Sequence, residues 1–236
     1  MLHLLLTVLL AAPQDSRPDS RAEARTLLTA VAAQQKDLRR ARARYVQERT
    51  TTLRRQPMVT EGTLWFRKDP ACIVFLAATP RPARIRLDAG SYEVYREQER
   101  QLERFLLGSS DLPHALFQAF SPELHQLDAR FTIESSTPGP EPSIRLVPKL
   151  EGMRRFLTEL TLTISRERLE VTRIAYRDGQ GDLVAIRLEG LVRDPEPDGD
   201  PFDPAVPEGT RVLVHPARLP AGPESRTTPE SKEPKK

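Results

Sequence analysis

The feature that most constrains this chain is a succession of short strand-like runs with short, turn-rich connections. Eleven runs stand out, at 44–52, 59–67, 72–78, 83–88, 91–96, 101–107, 129–135, 143–149, 157–165, 169–177 and 182–192. Several alternate with the period of a half-buried strand. Leu160, Leu162 and Ile164 alternate with Thr161, Thr163 and Ser165, and Phe131 and Ile133 alternate with Arg130, Thr132 and Glu134. Asp178-Gly179-Gln180-Gly181 suits a tight hairpin that needs positive φ, and Asp88-Ala89-Gly90 marks another turn. Parallel strands need long crossovers, so connections this short predict an antiparallel meander. The expected fold is mainly β: one antiparallel half-barrel of about eleven strands.

Two segments depart from this pattern. Ala24, Leu27, Leu28, Val31 and Leu38 share one helical face, and Ser20 and Glu23 have capping-box spacing, which predicts a helix over 20–40. Between the sixth and seventh runs, 111–127 carries Leu112, Leu116, Phe117, Phe120 and Leu124. It is too apolar for a free loop, and Pro113 and Pro122 sit where two short helices can start. Both segments are expected to cover the sheet as an α lid.

The chain divides into 1–19, a signal peptide and short linker; 20–216, the half-barrel domain; and 217–236, a polar tail expected to be disordered. The apolar run Leu2–Ala12 is far shorter than the roughly 20 residues that span a bilayer and ends on small residues, as an export signal does. No Cys lies near its end to take a lipid.

Residue chemistry argues against an enzyme. The chain has one Cys, Cys72, which opens an apolar run and reads as a buried small residue. His114 and His125 lack metal-ligand spacing, and Gly-rich phosphate loops are absent. No metal and no cofactor are expected. Hydrophobic residues make up 38% of the chain, enough for a core. A formal net charge of +3 does not suggest a nucleic-acid module.

Binding remains. A sheet with helices over one face can fill the space between or leave a cavity. The strands offer Leu64, Phe66, Val74, Leu76, Ile85 and Leu87 from the first half. The second half offers Leu146, Leu160, Leu162, Ile186 and Leu188, and the insert offers Leu116, Phe117 and Phe120. Periodicity alone does not separate cavity lining from packed core.

The order of several motifs resembles the LolA family, periplasmic carriers of outer-membrane lipoproteins. Tyr45-Val46-Gln47 follows the first helix, and Gly62-Thr63-Leu64-Trp65-Phe66-Arg67-Lys68-Asp69-Pro70 follows that. Then come Thr79-Pro80 and Asp88-Ala89-Gly90-Ser91-Tyr92. The C-terminal half contributes Ile144–Lys149, the turn at Asp178–Gly181, and Phe202-Asp203-Pro204 before Pro207-Glu208-Gly209. The resemblance covers roughly residues 22–214.

It implies an apolar cavity for acyl chains beneath a helical lid. It also implies acylated lipoproteins or lipids as cargo, an ATP-driven inner-membrane ABC transporter as donor, an outer-membrane acceptor, and a monomer in the periplasm of a Gram-negative-type bacterium. A carrier or sensor of another lipid or glycolipid is the alternative on the same fold. In the family a basic residue before the Pro of the second strand latches the lid. Here the extra Asp69 leaves Arg67 and Lys68 as candidates.

Overall fold

The computed structural model describes residues 18–54, 56–108 and 112–216. The expected signal run and polar tail lie outside them.

Helix α1 (Pro18–Gln34) begins before Ser20 and stops short of residue 40. The N–H groups of Arg39 and Arg40 donate to Asp194 Oδ1 at 2.9 and 2.8 Å, and Arg40 already pairs with Arg67 in a strand ladder. With the backbone there committed to the sheet, the helix cannot continue. Strands β1 (Arg40–Thr50), β2 (Met58–Arg67), β3 (Cys72–Thr79), β4 (Ala83–Asp88), β5 (Ser91–Arg96) and β6 (Gln101–Leu106) follow. Helices α2 (Leu112–Phe120) and α3 (Leu124–Arg130) form the insert. The second half holds β7 (Phe131–Ser136), β8 (Ser143–Pro148), α4 (Glu151–Arg154), β9 (Leu157–Ser165), β10 (Glu170–Asp178), β11 (Leu183–Arg193) and β12 (Arg211–His215).

All the strands form one open sheet in the order β12-β6-β5-β4-β3-β2-β1-β11-β10-β9-β8-β7. The fold is therefore a mainly β half-barrel with helices on one face. It has twelve strands rather than the expected eleven. The extra strand, β12, lies parallel to β6, whereas the other neighbours are antiparallel. A crossover makes this possible. Residues 194–210 leave β11 and run across the sheet to its far edge, pinned midway by Phe202, which is 2% exposed.

Alternation sorts the side chains onto two faces. Tyr45, Leu64, Phe66 and Ile73 point inward and join one core with Leu28 and Val31 of α1 and Phe117 and Leu127 of the insert. Helices α1 and α3 pack on β7, α2 on β10, and α4 on β8 and β9. On the outer face, Trp65, Cys72, Val74 and Phe202 form a separate small cluster. Gly62 is required where β2 meets β3, because a Cβ there would lie 1.9 Å from the Leu76 carbonyl oxygen.

Candidate functional site

The expected lining residues fall into distinct environments. Leu64, Phe66, Leu87, Phe117, Phe120, Leu146, Leu160, Leu162, Ile186 and Leu188 are buried in the inner core, and Leu116 packs against it. Ile85 pairs with Phe75 across β3 and β4 and shares its inward face. Val74 and Leu76 correct the sequence expectation. They point outward: Val74 packs beside Phe202, and Leu76 is 37% exposed.

The inner face has two unlike halves. Beneath the helices, Ile144, Leu146, Leu162, Ile164 and Ile174 have no exposed surface. This half is filled by its own side chains. Across β3–β5, Phe75, Ile85 and Tyr92 are only half-buried, as is Leu116 of α2. Aromatic rings step across this region. Tyr45 meets Phe75 edge-on at 5.1 Å between centroids, and Phe120 of α2 lies 6.1 Å from Phe66 and 6.4 Å from Phe75. Further along, Tyr92 lies 6.1 Å from Phe105. Burial pushes the phenols of Tyr45 and Tyr92 well above their ordinary range and that of Tyr176 to about 12. All three are neutral at physiological pH. Toward the β5–β6 turn the surface becomes polar. The buried Glu103 accepts from Arg96 at 3.2 Å and from Gln101 at 2.8 Å.

The two latch candidates separate. Lys68 Nζ reaches Glu123 Oε1 of the insert at 3.3 Å. Arg67 instead donates to the Pro70 carbonyl at 3.0 Å, and its guanidinium lies over the Phe202 ring at 4.7 Å. Alternation along β2 accounts for this, since Arg67 follows Trp65 outward. The sequence reading did not single out the residues that meet Lys68. Glu123 is the N-cap of α3, and its N–H donates to Gln118 Oε1 at 2.8 Å. Gln126 donates to Glu123 Oε2 at 2.8 Å and accepts from Gln118 at 3.0 Å. The Pro122-Glu123 helix start was the available signal for this turn. A second tie joins α1 to α3: Arg25 donates from two nitrogens to both oxygens of Asp128, at 2.7 and 2.6 Å. This contact holds the Asp128 carboxyl below the usual range.

A groove of about 520 Å³ opens elsewhere, on the outer face of β9–β11. Arg168, Arg173, Arg187, Glu170 and Glu189 line it together with Leu188 and Leu191. Cys72 is buried, and burial raises its thiol pKa to about 11, so it is no nucleophile at neutral pH. His114 and His125 are exposed on separate helices. Among the described residues no group of three or more His, Cys, Asp or Glu could hold a metal ion. Among them, too, no helix is long and apolar enough to cross a membrane.

No family model and no curated protein matches the chain. Solved structures similar in fold include an uncharacterized conserved protein from Thermus thermophilus, at 12% identity and a TM-score of 0.48 over 82% of this chain and 99% of that one. They also include a LolA superfamily protein from Nitrosomonas europaea, at 10% identity and a TM-score of 0.39 over 74% of this chain and 95% of that one. A third is a chain of the Pseudomonas aeruginosa MucA/MucB complex, at 12% identity and a TM-score of 0.42 over 78% of this chain and 61% of that one.

Proposed function

We propose that the protein carries acyl chains on the inner face of β3–β5, beneath α2. One observation carries this reading. Phe75, Ile85 and Tyr92 share the inward face of β3–β5 and stay only half-covered, next to a core that is otherwise closed, and Phe120 of α2 lies against Phe75. Phe66, Leu87 and Phe120 border it.

The insert that roofs this surface is held at its α2–α3 turn by Lys68 and Glu123, both side chains 31% exposed. A pair this exposed contributes about 0.2–1 kcal/mol. Such a latch opens at little cost. Burial of each CH₂ contributes about 0.8 kcal/mol, so a few methylenes moving under α2 offset the loss of the pair. Complete burial of several long chains would exceed the practical limit of non-covalent affinity, near 20 kcal/mol. Release therefore favours partial coverage, which the open half supplies. In the finer reading, supported by the motif resemblance, the cargo is acylated lipoprotein. It passes in the periplasm from an ATP-driven inner-membrane donor to an outer-membrane acceptor, with Lys68 as the latch.

A fluorescent fatty-acid probe tests this. The wild-type protein takes up the probe, and a long-chain lipid displaces it. Lys68→Glu places two carboxylates together and speeds uptake a few-fold, while adding Glu123→Lys restores the wild-type rate. Failure of the folded protein to bind any acyl probe would remove the carrier reading. Uptake indifferent to both substitutions would remove the latch.

A further inference from the structure

Three turns lie side by side at one rim of the sheet. Thr50 at the end of β1 pairs with Leu183 at the start of β11, and Asp178 at the end of β10 pairs with Leu157 at the start of β9. These registers bring 51–54, 178–182 and 149–156 together. Two of the turns touch. The Gly179 N–H donates to the Phe156 carbonyl at 3.2 Å, and a Cβ on Gly179 would lie 1.8 Å from the Arg155 carbonyl oxygen. From this rim project Leu53, 94% exposed, Leu150, 39%, and Phe156, 38%.

The rim is rich in basic side chains. Over the rest of the surface arginines divide between carboxylates, as Arg44 with Glu61 and Glu189, and backbone carbonyls, as Arg67 with Pro70 and Arg193 with Gln34. At this rim Lys149, Arg154 and Arg177 all donate to backbone carbonyls, those of Asp128, Pro148 and Gly181. Arg54 and Arg155 are exposed and in no ion pair among the described residues. The carboxylates of Asp178 and Asp182 are taken by Arg49, at 3.1 and 2.8 Å, which leaves Glu151 as the acidic residue of 149–156. Arg49 offsets one of the two carboxylates it meets, so the three turns remain net basic, and they carry three exposed apolar side chains.

We propose that this rim docks on an anionic lipid surface. The basic side chains meet the headgroups, and Leu53, Leu150 and Phe156 enter the boundary of the acyl region. This goes beyond the carrier reading and does not depend on what the inner face holds. Each basic side chain near an anionic surface strengthens partitioning about fivefold. Three side chains at this depth fit shallow, reversible docking rather than insertion.

The test is sedimentation of the full chain with vesicles of phosphatidylcholine alone or with about 30% phosphatidylglycerol, enough to set up a negative surface potential. Residues 2–12 are common to all variants, so their contribution appears in the neutral-vesicle arm. Binding is expected to be much stronger on the anionic vesicles and to fall steeply with salt. Arg54→Gln/Arg155→Gln is expected to weaken it roughly tenfold to thirtyfold, and Leu53→Ser a few-fold. Leu53 is almost fully exposed, so the last variant does not test folding. Equal binding to both vesicle types, or binding untouched by these variants, overturns the proposal. So does a rim-dependent dimer or capture of an acidic protein without vesicle binding. An acyl probe still taken up after loss of vesicle binding separates this surface from the inner site.

Discussion

The half of the sheet under the helices and the half running from β3 to β6 share one backbone architecture and differ in what covers them. In the first, α1, α2 and α3 close over β7–β10, and the inward side chains lose all contact with solvent. In the second, the inner face keeps half-buried aromatic and aliphatic groups, while the outer face is the one strapped, by residues 194–210 through Phe202. The lesson is a division of labour. Stability concentrates where helices and strands interdigitate, and apolar side chains stay partly exposed where helix cover thins out beyond the end of α2. The strap is fixed firmly: Arg86 Nε donates to the Phe202 carbonyl at 2.7 Å, and Trp65 meets the ring edge-on at 6.3 Å. The second half is therefore braced from its outer face.

The largest effect that tests this contrast is cavity creation. Leu162→Ala in the closed half is expected to destabilise the fold by about 3–4 kcal/mol, read by chemical denaturation. Ile85→Ala is expected to cost about 1 kcal/mol or less yet to weaken acyl-probe binding. Equal losses of stability at the two positions would erase the distinction. Next comes Phe202→Ala, expected to cost about 3 kcal/mol and to raise amide exchange selectively in β12 and β6. Uniform exchange across the sheet would show that the strap does not act locally.

The smallest effect is electrostatic. The Arg25 guanidinium lowers the Asp128 pKa in the fold, so the tie between α1 and α3 stabilises above the ordinary carboxylate range. It is lost as pH falls through the lowered folded value. Both side chains are over a third exposed, so the contribution is screened to about 0.5 kcal/mol. Asp128→Asn should flatten the acid limb of a thermal-stability profile by that amount and leave the neutral plateau slightly lower. An unchanged acid limb would break the assignment.

Much of the fold could be read in the chain. The alternation of Leu160, Leu162 and Ile164 with threonines marks β9, because one face of that strand is wet and the other dry. Asp88 fixes its turn by accepting the N–H groups of Gly90 and Ser91 at 2.8 and 2.7 Å. β3 behaved differently. Cys72–Ala78 is apolar throughout, since the inner core covers one of its faces and Phe202 covers Cys72 and Val74 on the other, so no alternation survives to say which way Val74 and Leu76 point. Arg67 and Lys68 are neighbours of equal charge. Their assignment needed the α2–α3 turn, whose approach to β2 is a contact between distant parts of the chain.

What the sequence determined by itself was periodic and local: where strands begin and end, which turns are tight, and that two apolar helical segments must lie on the sheet. Only the tertiary structure decided the twelfth strand, the strap, the face on which each apolar residue of β3 lies, and which inward side chains stay partly exposed. The reason is physical. A period of two or 3.6 residues is written within a few neighbours, whereas coverage depends on which remote segment arrives at a surface and how much of it that segment occupies.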